Sequence, residues 1–132
     1  MWLLDTHVWL WSQLEPERLG EGTRALLMDQ SQPLVVATIS TLEIARLVAR
    51  GQVTLRVPVG EWVRRSTELL ALRTLELSHE VAIEAYALLD AFHRDPADRI
   101  LVATSRIHGL TLVTADERIL AYPHVTSRDS RT

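Results

Sequence analysis

Four acidic residues in this 132-residue sequence stand beside short apolar segments, where their carboxylates could take part in metal chemistry. Asp5 directly follows the apolar run Trp2–Leu4, and no helix-capping pattern accounts for it. Glu43 follows the second apolar run, Asp98 falls in the first turn of a predicted helix, and Asp116 follows a further apolar run. Their types and positions make these four residues the candidates for chemistry.

Carboxylates at the ends of parallel strands meet at one edge of a sheet, which is where such folds bind ligands. Two unit charges about 4 Å apart repel by roughly 4 kcal/mol at an effective dielectric of 20. A cluster of four acids therefore has raised pKa values or binds a cation, and oxygen ligands suit Mg²⁺ or Mn²⁺. The hydroxyls of Thr6 and Thr114 lie next to two of the acids, and a ligand role for His7 or His93 stays open.

A structural interpretation exists for three of the acids when each is taken alone. Residues 40–43 (Ser-Thr-Leu-Glu) match a capping box, and so do residues 114–117 (Thr-Ala-Asp-Glu). Asp95 followed by Pro96 predicts a capped helix start, in which Asp98 faces the favourable end of the helix dipole. Asp5 has no such explanation, and it favours the metal site for the set.

The apolar periodicity predicts an α/β protein. We expect strands at 2–4, 34–37, 74–77 and 110–113, an extended piece around Val125, and an unassigned extended piece at 53–57. Helices are predicted at 8–14, 23–30, 40–50, 95–109 and 116–121, with one from Pro58 that turns Leu69 inward and one from Ser78 that reaches Phe92. The polar residues 127–132 are expected to fray. Strands that alternate with helices imply a parallel sheet covered on both faces.

Composition sets further bounds. The chain is long enough for one domain, 1–132, and 47% of its residues are hydrophobic while 5% are aromatic. No apolar run is long enough to cross a bilayer, and the early Asp5 argues against a secretory signal. The absence of cysteine excludes disulfides and thiolate chemistry, and it suits a cytoplasmic protein.

The charged residues exclude other mechanisms. The net charge of −3 does not indicate nucleic-acid binding by itself, and all 14 basic residues are arginine. Without lysine, no mechanism that depends on one is open. This argues against a phosphoacceptor receiver domain and a haloacid-dehalogenase-like phosphatase, and the latter also needs an Asp where His7 stands.

Four motifs in the same order resemble a PIN domain, over essentially the whole chain. They are LLDTH at the N-terminus, S-x-x-E at 40–43, DPADRILVAT at 95–104 and LVTAD at 112–116. The element H-R-D-P-x-D-R narrows the resemblance to the VapC-like toxin branch. It implies a three-layer α/β/α fold with a central, mostly parallel sheet, and a metal-dependent endoribonuclease whose acidic quartet is Asp5, Glu43, Asp98 and Asp116.

The resemblance also implies supporting residues. Thr114 would be the hydroxyl that follows the fourth strand, and Asp95 a helix cap with a supporting role. Glu43 would bind metal or orient water. Arg99 would face phosphate or pair with an acid, with the pair favoured, and Arg46 and Arg50 would be candidate RNA contacts or simply solvated.

The family implies partners as well: an RNA substrate, a small VapB-like antitoxin that covers the groove, and a second copy in a homodimer. Trp9, Trp11 and Trp62 are candidates for apolar contact, although Trp62 fits a buried stripe better. The alternatives are a free-standing RNA-processing nuclease and, less favoured, a PIN-fold binding module, which would be expected to have lost some of the four acids.

Overall fold

Five short strands form one parallel sheet in the computed structural model, which describes residues 1–132. In chain order they are β1 (Trp2–Leu4), β2 (Leu34–Ala37), β3 (Arg73–Leu75), β4 (Thr111–Thr114) and β5 (Ser127–Asp129). Their spatial order is β3-β2-β1-β4-β5, and every neighbouring pair is parallel. The predicted parallel sheet is confirmed, with β5 a little beyond the extended piece expected around Val125.

Seven α-helices and one 3₁₀ turn connect the strands. They are α1 (Thr6–Leu14), the turn at Pro16–Arg18, α2 (Glu21–Met28), α3 (Thr38–Ala49), α4 (Val59–Leu69), α5 (His79–Glu84), α6 (Pro96–His108) and α7 (Glu117–Leu120). None of the helices has the length and apolar character that crossing a bilayer requires.

Neighbouring residues of β1 point to opposite faces of the sheet, as the period of a strand requires. Leu4 belongs to an apolar cluster with Trp9 and Ile44, contributed by α1 and α3. Leu3 belongs to a second cluster with Leu101 of α6 and Ile119 of α7. Helices therefore cover both faces, and the predicted three-layer α/β/α architecture is confirmed.

The path of the chain creates a reversal point beside β1. The chain runs outward from β1 through β2 to β3 and then returns to place β4 on the other side of β1. At such a reversal the connections after the two central strands diverge and leave a crevice at the strand ends. Asp5 follows β1 directly, and Asp116 follows β4 by two residues, so the fold carries both acids to this crevice.

Both predicted capping boxes are wrong. β2 runs directly into α3, which begins at Thr38 without any side-chain cap, so residues 40–43 lie inside the helix. Thr114 is the last residue of β4, and the cap of α7 is Asp116, whose side chain accepts from the backbone N–H of Arg118. The predicted cap at Asp95 is confirmed, because its carboxylate accepts from the backbone N–H groups of Ala97 and Asp98.

Other local predictions also need correction. The helix that begins after Ser78 ends at Glu84 and not near Phe92, and Leu69 of α4 is 70% exposed. Residues 53–57 form no strand, although Val53 packs on the core. Of the three tryptophans considered for partner contact, Trp9 and Trp62 are buried against one another with ring centroids 5.2 Å apart, so only the half-buried Trp11 is left for that role.

The C-terminal residues do not fray as predicted. Beyond β5, the backbone N–H of Ser130 donates to Thr114 O, and the N–H groups of Gly20 and Gly22 donate to Ser130 O and Thr132 O. The two glycines permit this approach, because a Cβ on Gly20 would lie 2.4 Å from Arg131 O. The tail is therefore packed against the start of α2.

Candidate active site

A cleft of about 360 Å³ opens beyond the C-terminal ends of β1 and β4. It is lined by all four acids predicted from the sequence, and Asp95 adds a fifth carboxylate. The other lining residues are His7, Trp11, Ala115 and Arg118. The structure thus brings the predicted acids together from β1, α3, α6 and the turn before α7.

Asp5 has both carboxylate oxygens engaged. Its Oδ1 accepts from the backbone N–H of Thr6 over 2.7 Å, and its Oδ2 accepts from the Thr114 hydroxyl over 2.6 Å. Asp5 is also the N-cap of α1, so the expectation that no capping role explains it is wrong. Burial raises the pKa of Asp5, and the two hydrogen bonds only partly oppose that rise.

Glu43 reaches the cleft from one turn inside α3. The Thr6 hydroxyl donates to Glu43 Oε1 over 2.6 Å and lies 2.9 Å from Ser40 Oγ. The residues of the predicted capping box therefore bind a side chain of α1 rather than their own helix end. Burial raises the pKa of Glu43; the bond from Thr6 opposes this, and the charge of Asp5 adds to it.

Asp98 is a carboxyl of the site whose pKa is strongly raised. It lies in the first turn of α6, is 9% exposed, and has a pKa raised to about 8. Burial is the largest cause, followed by the negative charges of Asp5, Asp95, Asp116 and Glu43. A carboxyl in a cleft whose pKa is raised by burial and by neighbouring acids is a candidate functional group.

Asp116 differs, because an arginine two residues later holds it. Arg118 Nη2 lies 3.1 Å from Asp116 Oδ2 and 3.8 Å from Asp98 Oδ2. Burial alone would raise the pKa of Asp116, but the hydrogen bonds from the Arg118 side chain and backbone lower it overall. Arg118 was not predicted from the sequence. The observation that could have identified it is its position two residues after the candidate ligand Asp116.

His93 also contacts the site. Its Nε2 is 3.0 Å from Asp98 Oδ2, is shielded from solvent, and makes no hydrogen bond of acceptable geometry. Burial lowers the pKa of His93, and the positive charge of Arg118 adds to that effect. Ligand atoms of His93, Asp98 and Asp116 all lie within 4.8 Å of one another, so these three could share one ion. Asp5 and Glu43 line the same cleft outside that group.

The predicted arginines lie elsewhere. Arg99 neither faces the cleft nor pairs with an acid, which corrects both expectations for it. Its guanidinium donates to the backbone carbonyls of Ala85, Phe92 and His93 and lies over the ring of Tyr86. Arg46 and Arg50 are exposed on α3 and do not line the cleft.

Comparisons of sequence identify relatives over nearly the whole chain. The family model described as "PIN domain" matches residues 2–125. Ribonuclease VapC22 of Mycobacterium tuberculosis is 38% identical over 122 residues, which are 92% of this chain and 92% of that protein.

Solved structures share the fold. A VapBC2 complex from Rickettsia felis, bound to a promoter DNA fragment, superposes with a TM-score of 0.69 at 12% identity, covering 96% of each chain. FitAcB from Neisseria gonorrhoeae gives 0.67 at 22% identity, covering 98% of each. A DNA-bound VapBC from Salmonella typhimurium gives 0.69 at 15% identity, covering 97% of this chain and 96% of that one. At these identities the likeness concerns the fold.

Proposed function

The chain belongs to the PIN domain family, in its VapC-like branch, and on that premise we propose that it is a divalent-metal-dependent endoribonuclease. Its proposed reaction is the hydrolysis of RNA phosphodiester bonds. Its proposed biological role is that of the toxin in a toxin–antitoxin pair. Residues 1–132 are proposed to act as a single domain, in the cytoplasm.

One observation carries the catalytic part of this proposal: the convergence of Asp5, Glu43, Asp98 and Asp116 on one cleft, with the pKa of Asp98 raised to about 8. Three of these acids stand at the starts of separate helices, and helix capping alone gives no reason for them to converge on one cleft. Crowded carboxylates would repel RNA, whereas bound cations reverse the local charge. The site is therefore best explained as one completed by metal.

The donor set fits Mg²⁺ or Mn²⁺, because it consists almost entirely of carboxylate oxygens. Asp5, Asp98 and Asp116 would hold the ion or ions, and Glu43 would bind metal or orient the attacking water. His93 is a further candidate ligand, since its buried Nε2 has no hydrogen bond. When bound, a divalent ion supplies charge for the phosphate and lowers the pKa of a water.

The chain's own residues hold the carboxylates in place. Thr114 donates to Asp5 and accepts from the backbone N–H of Asp116 over 3.0 Å, which ties the acids after β1 and β4 together. Thr6 links Asp5 and Glu43 as a donor to both, through its backbone N–H to Asp5 and through its hydroxyl to Glu43. Hydrogen bonds of this kind orient metal ligands and are important for metal affinity. Asp95 supports the site by capping the helix that presents Asp98.

RNA would reach the cleft as a single strand or a loop, whose nucleotides can be splayed apart. The cleft is open at the sheet edge, and Trp11 and His7 form part of its wall, with ring centroids 5.7 Å apart. Arg46 and Arg50 are proposed as additional contacts to the RNA backbone, since both are exposed, Arg46 within α3 and Arg50 at its C-terminal end, and α3 also carries Glu43.

The proposed protein partners are a VapB-like antitoxin and a second copy of this chain. The structural neighbours from Rickettsia felis and Salmonella typhimurium support the first, because both are described as VapBC structures. Exposed apolar side chains such as Ile83 and Tyr86 offer contact area for an assembly. If the chain purifies alone at high yield without harming cellular RNA, the alternative of a free-standing RNA-processing nuclease is favoured instead.

The direct test incubates protein free of antitoxin with total RNA, in Mn²⁺ and in EDTA, and maps the cut ends. We expect cleavage in Mn²⁺ and none in EDTA or with Asp98→Asn. Asp29→Asn, at an exposed acid outside the cleft, is the matched control and should cut like the parent. Undiminished cleavage in EDTA would reject the metal mechanism. A complete absence of cleavage with folded, metal-loaded protein would favour a binding module.

A further inference from the structure

We propose that Arg118 is an internal counter-ion that competes with the divalent ion for Asp116 and, once displaced, binds the phosphate backbone of RNA. This inference rests on the proposed nuclease function. It assigns a positioning role to a residue that is outside the acidic set. It also predicts that metal binding and RNA binding are linked through one side chain.

The first step of the argument is the geometry of the pair. Arg118 Nη2 lies 3.1 Å from Asp116 Oδ2, and its Nε lies 3.3 Å from Asp116 Oδ1, so the guanidinium spans the carboxylate. The same Nη2 is 3.8 Å from Asp98 Oδ2. Arg118 thus bridges two of the three residues whose ligand atoms lie close enough together to share an ion.

Occupation of these oxygens creates competition. A cation bound by Asp116 needs lone pairs that now accept from the guanidinium, and at Asp98 the cation would take the place of the nearby positive charge of Arg118. Arg118 can leave, because its side chain is 62% exposed and its guanidinium donates hydrogen bonds only to Asp116. Its departure does not dismantle the site, since the backbone N–H of Arg118 still donates to Asp116 Oδ1 over 2.8 Å. The Arg118 side chain can therefore move away while Asp116 stays in position.

The destination of the released guanidinium follows from charge. Five carboxylates line the cleft, and Arg118 is the one arginine among its lining residues. Arg99, the neighbouring candidate, is immobilised by three backbone carbonyls and cannot substitute for it. A planar guanidinium at the rim, freed from a carboxylate, matches the geometry of a phosphate, which it can grip through two N–H groups.

The first measurement is calorimetric titration of Mn²⁺ into the parent and Arg118→Gln, with no RNA present. Gln removes the competing charge and keeps the backbone bond to Asp116. We expect the dissociation constant for Mn²⁺ to fall about twofold to fivefold, the range that exposed ion pairs span. Arg118→Lys, which keeps the charge but loses the fork, should lie between the two. Arg24→Gln, at an exposed arginine of α2, is the matched control and should bind as the parent does.

The second measurement is the salt dependence of RNA cleavage at saturating Mn²⁺. Arg118→Gln should lose one contact to a phosphate of single-stranded RNA. The slope of log kcat/KM against log salt should therefore be smaller in magnitude by about 0.7 than the slope of the parent. The lower kcat/KM of Arg118→Gln should come mainly from a higher KM. Arg24→Gln should keep the parent slope. Unfolding curves of the variants confirm that each protein is folded.

The outcomes separate this inference from the proposed function. Equal or weaker Mn²⁺ binding by Arg118→Gln would overturn the competition, and an unchanged salt slope would overturn the phosphate contact. Either result would leave a parent that binds Mn²⁺ and cuts RNA as a working nuclease. If the parent itself binds no Mn²⁺, the proposed metal site is wrong, and the role of Arg118 falls with it.

Discussion

Thr114, the last residue of β4, donates its hydroxyl hydrogen to Asp5 Oδ2 over 2.6 Å, so the carboxylate that follows β1 is oriented from the neighbouring strand. The Thr114 oxygen also accepts from the backbone N–H of Asp116. One buried hydroxyl therefore sets the relative position of two candidate metal ligands, 109 and two residues away in sequence. The precision of the site depends on this strand pairing.

Removal of that hydroxyl should loosen the site without disrupting the core. We expect Thr114→Val, which preserves shape, to lower Mn²⁺ affinity or the cleavage rate by about 10-fold to 100-fold, as is usual for residues that orient metal ligands. Thr114→Ser should retain most of both. Thr104→Val is the control, because that buried hydroxyl bonds only to Ile100 O of its own helix. Equal losses in the two valine variants would point to a general packing defect.

The metal-free protein should lose stability as the pH rises. Asp98 has a pKa of about 8 in the folded protein and an ordinary value of 3.8. Between these values the folded state holds a proton that the unfolded state has released, so the free energy of unfolding falls with pH. One such group gives a slope of about −1.4 kcal/mol per pH unit. Burial raises the pKa values of Asp5 and Glu43 as well, and these two add to the fall.

The measurement is urea unfolding in EDTA at several values between pH 4 and 8. Asp98→Asn should flatten the dependence, and it should be as stable as the parent or more stable near pH 8. Saturating Mn²⁺ should reduce the parent's fall, because bound metal stabilises the ionised carboxylates. A free energy of unfolding that rises with pH in EDTA would contradict the raised pKa of Asp98.

Glu43→Gln separates a catalytic carboxylate from a helix cap. Because Glu43 lies inside α3 and accepts from Thr6 through one oxygen, Gln can keep that bond while it loses the charge. We expect metal-free stability to stay the same or rise, while cleavage falls by about tenfold or more. Glu68→Gln, at an exposed position of α4, is the control and should change neither stability nor cleavage by a comparable amount. A variant that is destabilised yet fully active would return Glu43 to a structural role.

Arg99 should prove structural. Its guanidinium binds three carbonyls of residues 85–93, so Arg99→Lys cannot replace the whole set of bonds. Loss of charged hydrogen bonds predicts destabilisation by about 1.5–3 kcal/mol, measured by urea unfolding. Amide exchange in residues 85–93 should accelerate. Arg94→Lys, at an exposed neighbour, should change neither quantity. If Arg99→Lys has normal stability but binds RNA more weakly, the prediction from the sequence that Arg99 contacts phosphate would be supported instead.

Because the C-terminal tail packs against Gly20, replacement by alanine should have different effects on stability at Gly20 and at Gly60. A Cβ on Gly20 would meet the backbone of Arg131 at 2.4 Å, so Gly20→Ala should destabilise the protein by about 1–3 kcal/mol. Gly60, in the first turn of α4, has open space around it, and Gly60→Ala should be neutral or stabilise by up to about 1 kcal/mol. Thermal unfolding measures both. Identical effects at the two sites would mean that the tail does not pack against α2.

The sequence by itself determined the order and type of most elements and the acids of the cleft. Apolar runs defined β1, β2 and β4 because buried parallel strands are apolar on both faces. The helix cap at Asp95 could be predicted because the backbone N–H groups that it binds lie within three residues of it. Asp5, Glu43 and Asp116 could be grouped because each follows a predicted strand and parallel strand ends share one edge. Asp98 joined them as an acid in the first turn of a predicted helix, and the PIN-domain motifs then matched all four.

The tertiary structure alone decided which partners the polar side chains take. Ser40 and Glu43 match a capping box by spacing, yet β2 enters α3 without a loop, and both contact Thr6, which is more than 30 residues away. The tail at 127–132 is polar, but its backbone carbonyls accept hydrogen bonds from the N–H groups of Gly20 and Gly22. A local pattern specifies hydrogen bonds within a few residues. Bonds between distant residues depend on how strands align and helices pack, and these distances are not encoded in any short stretch of sequence.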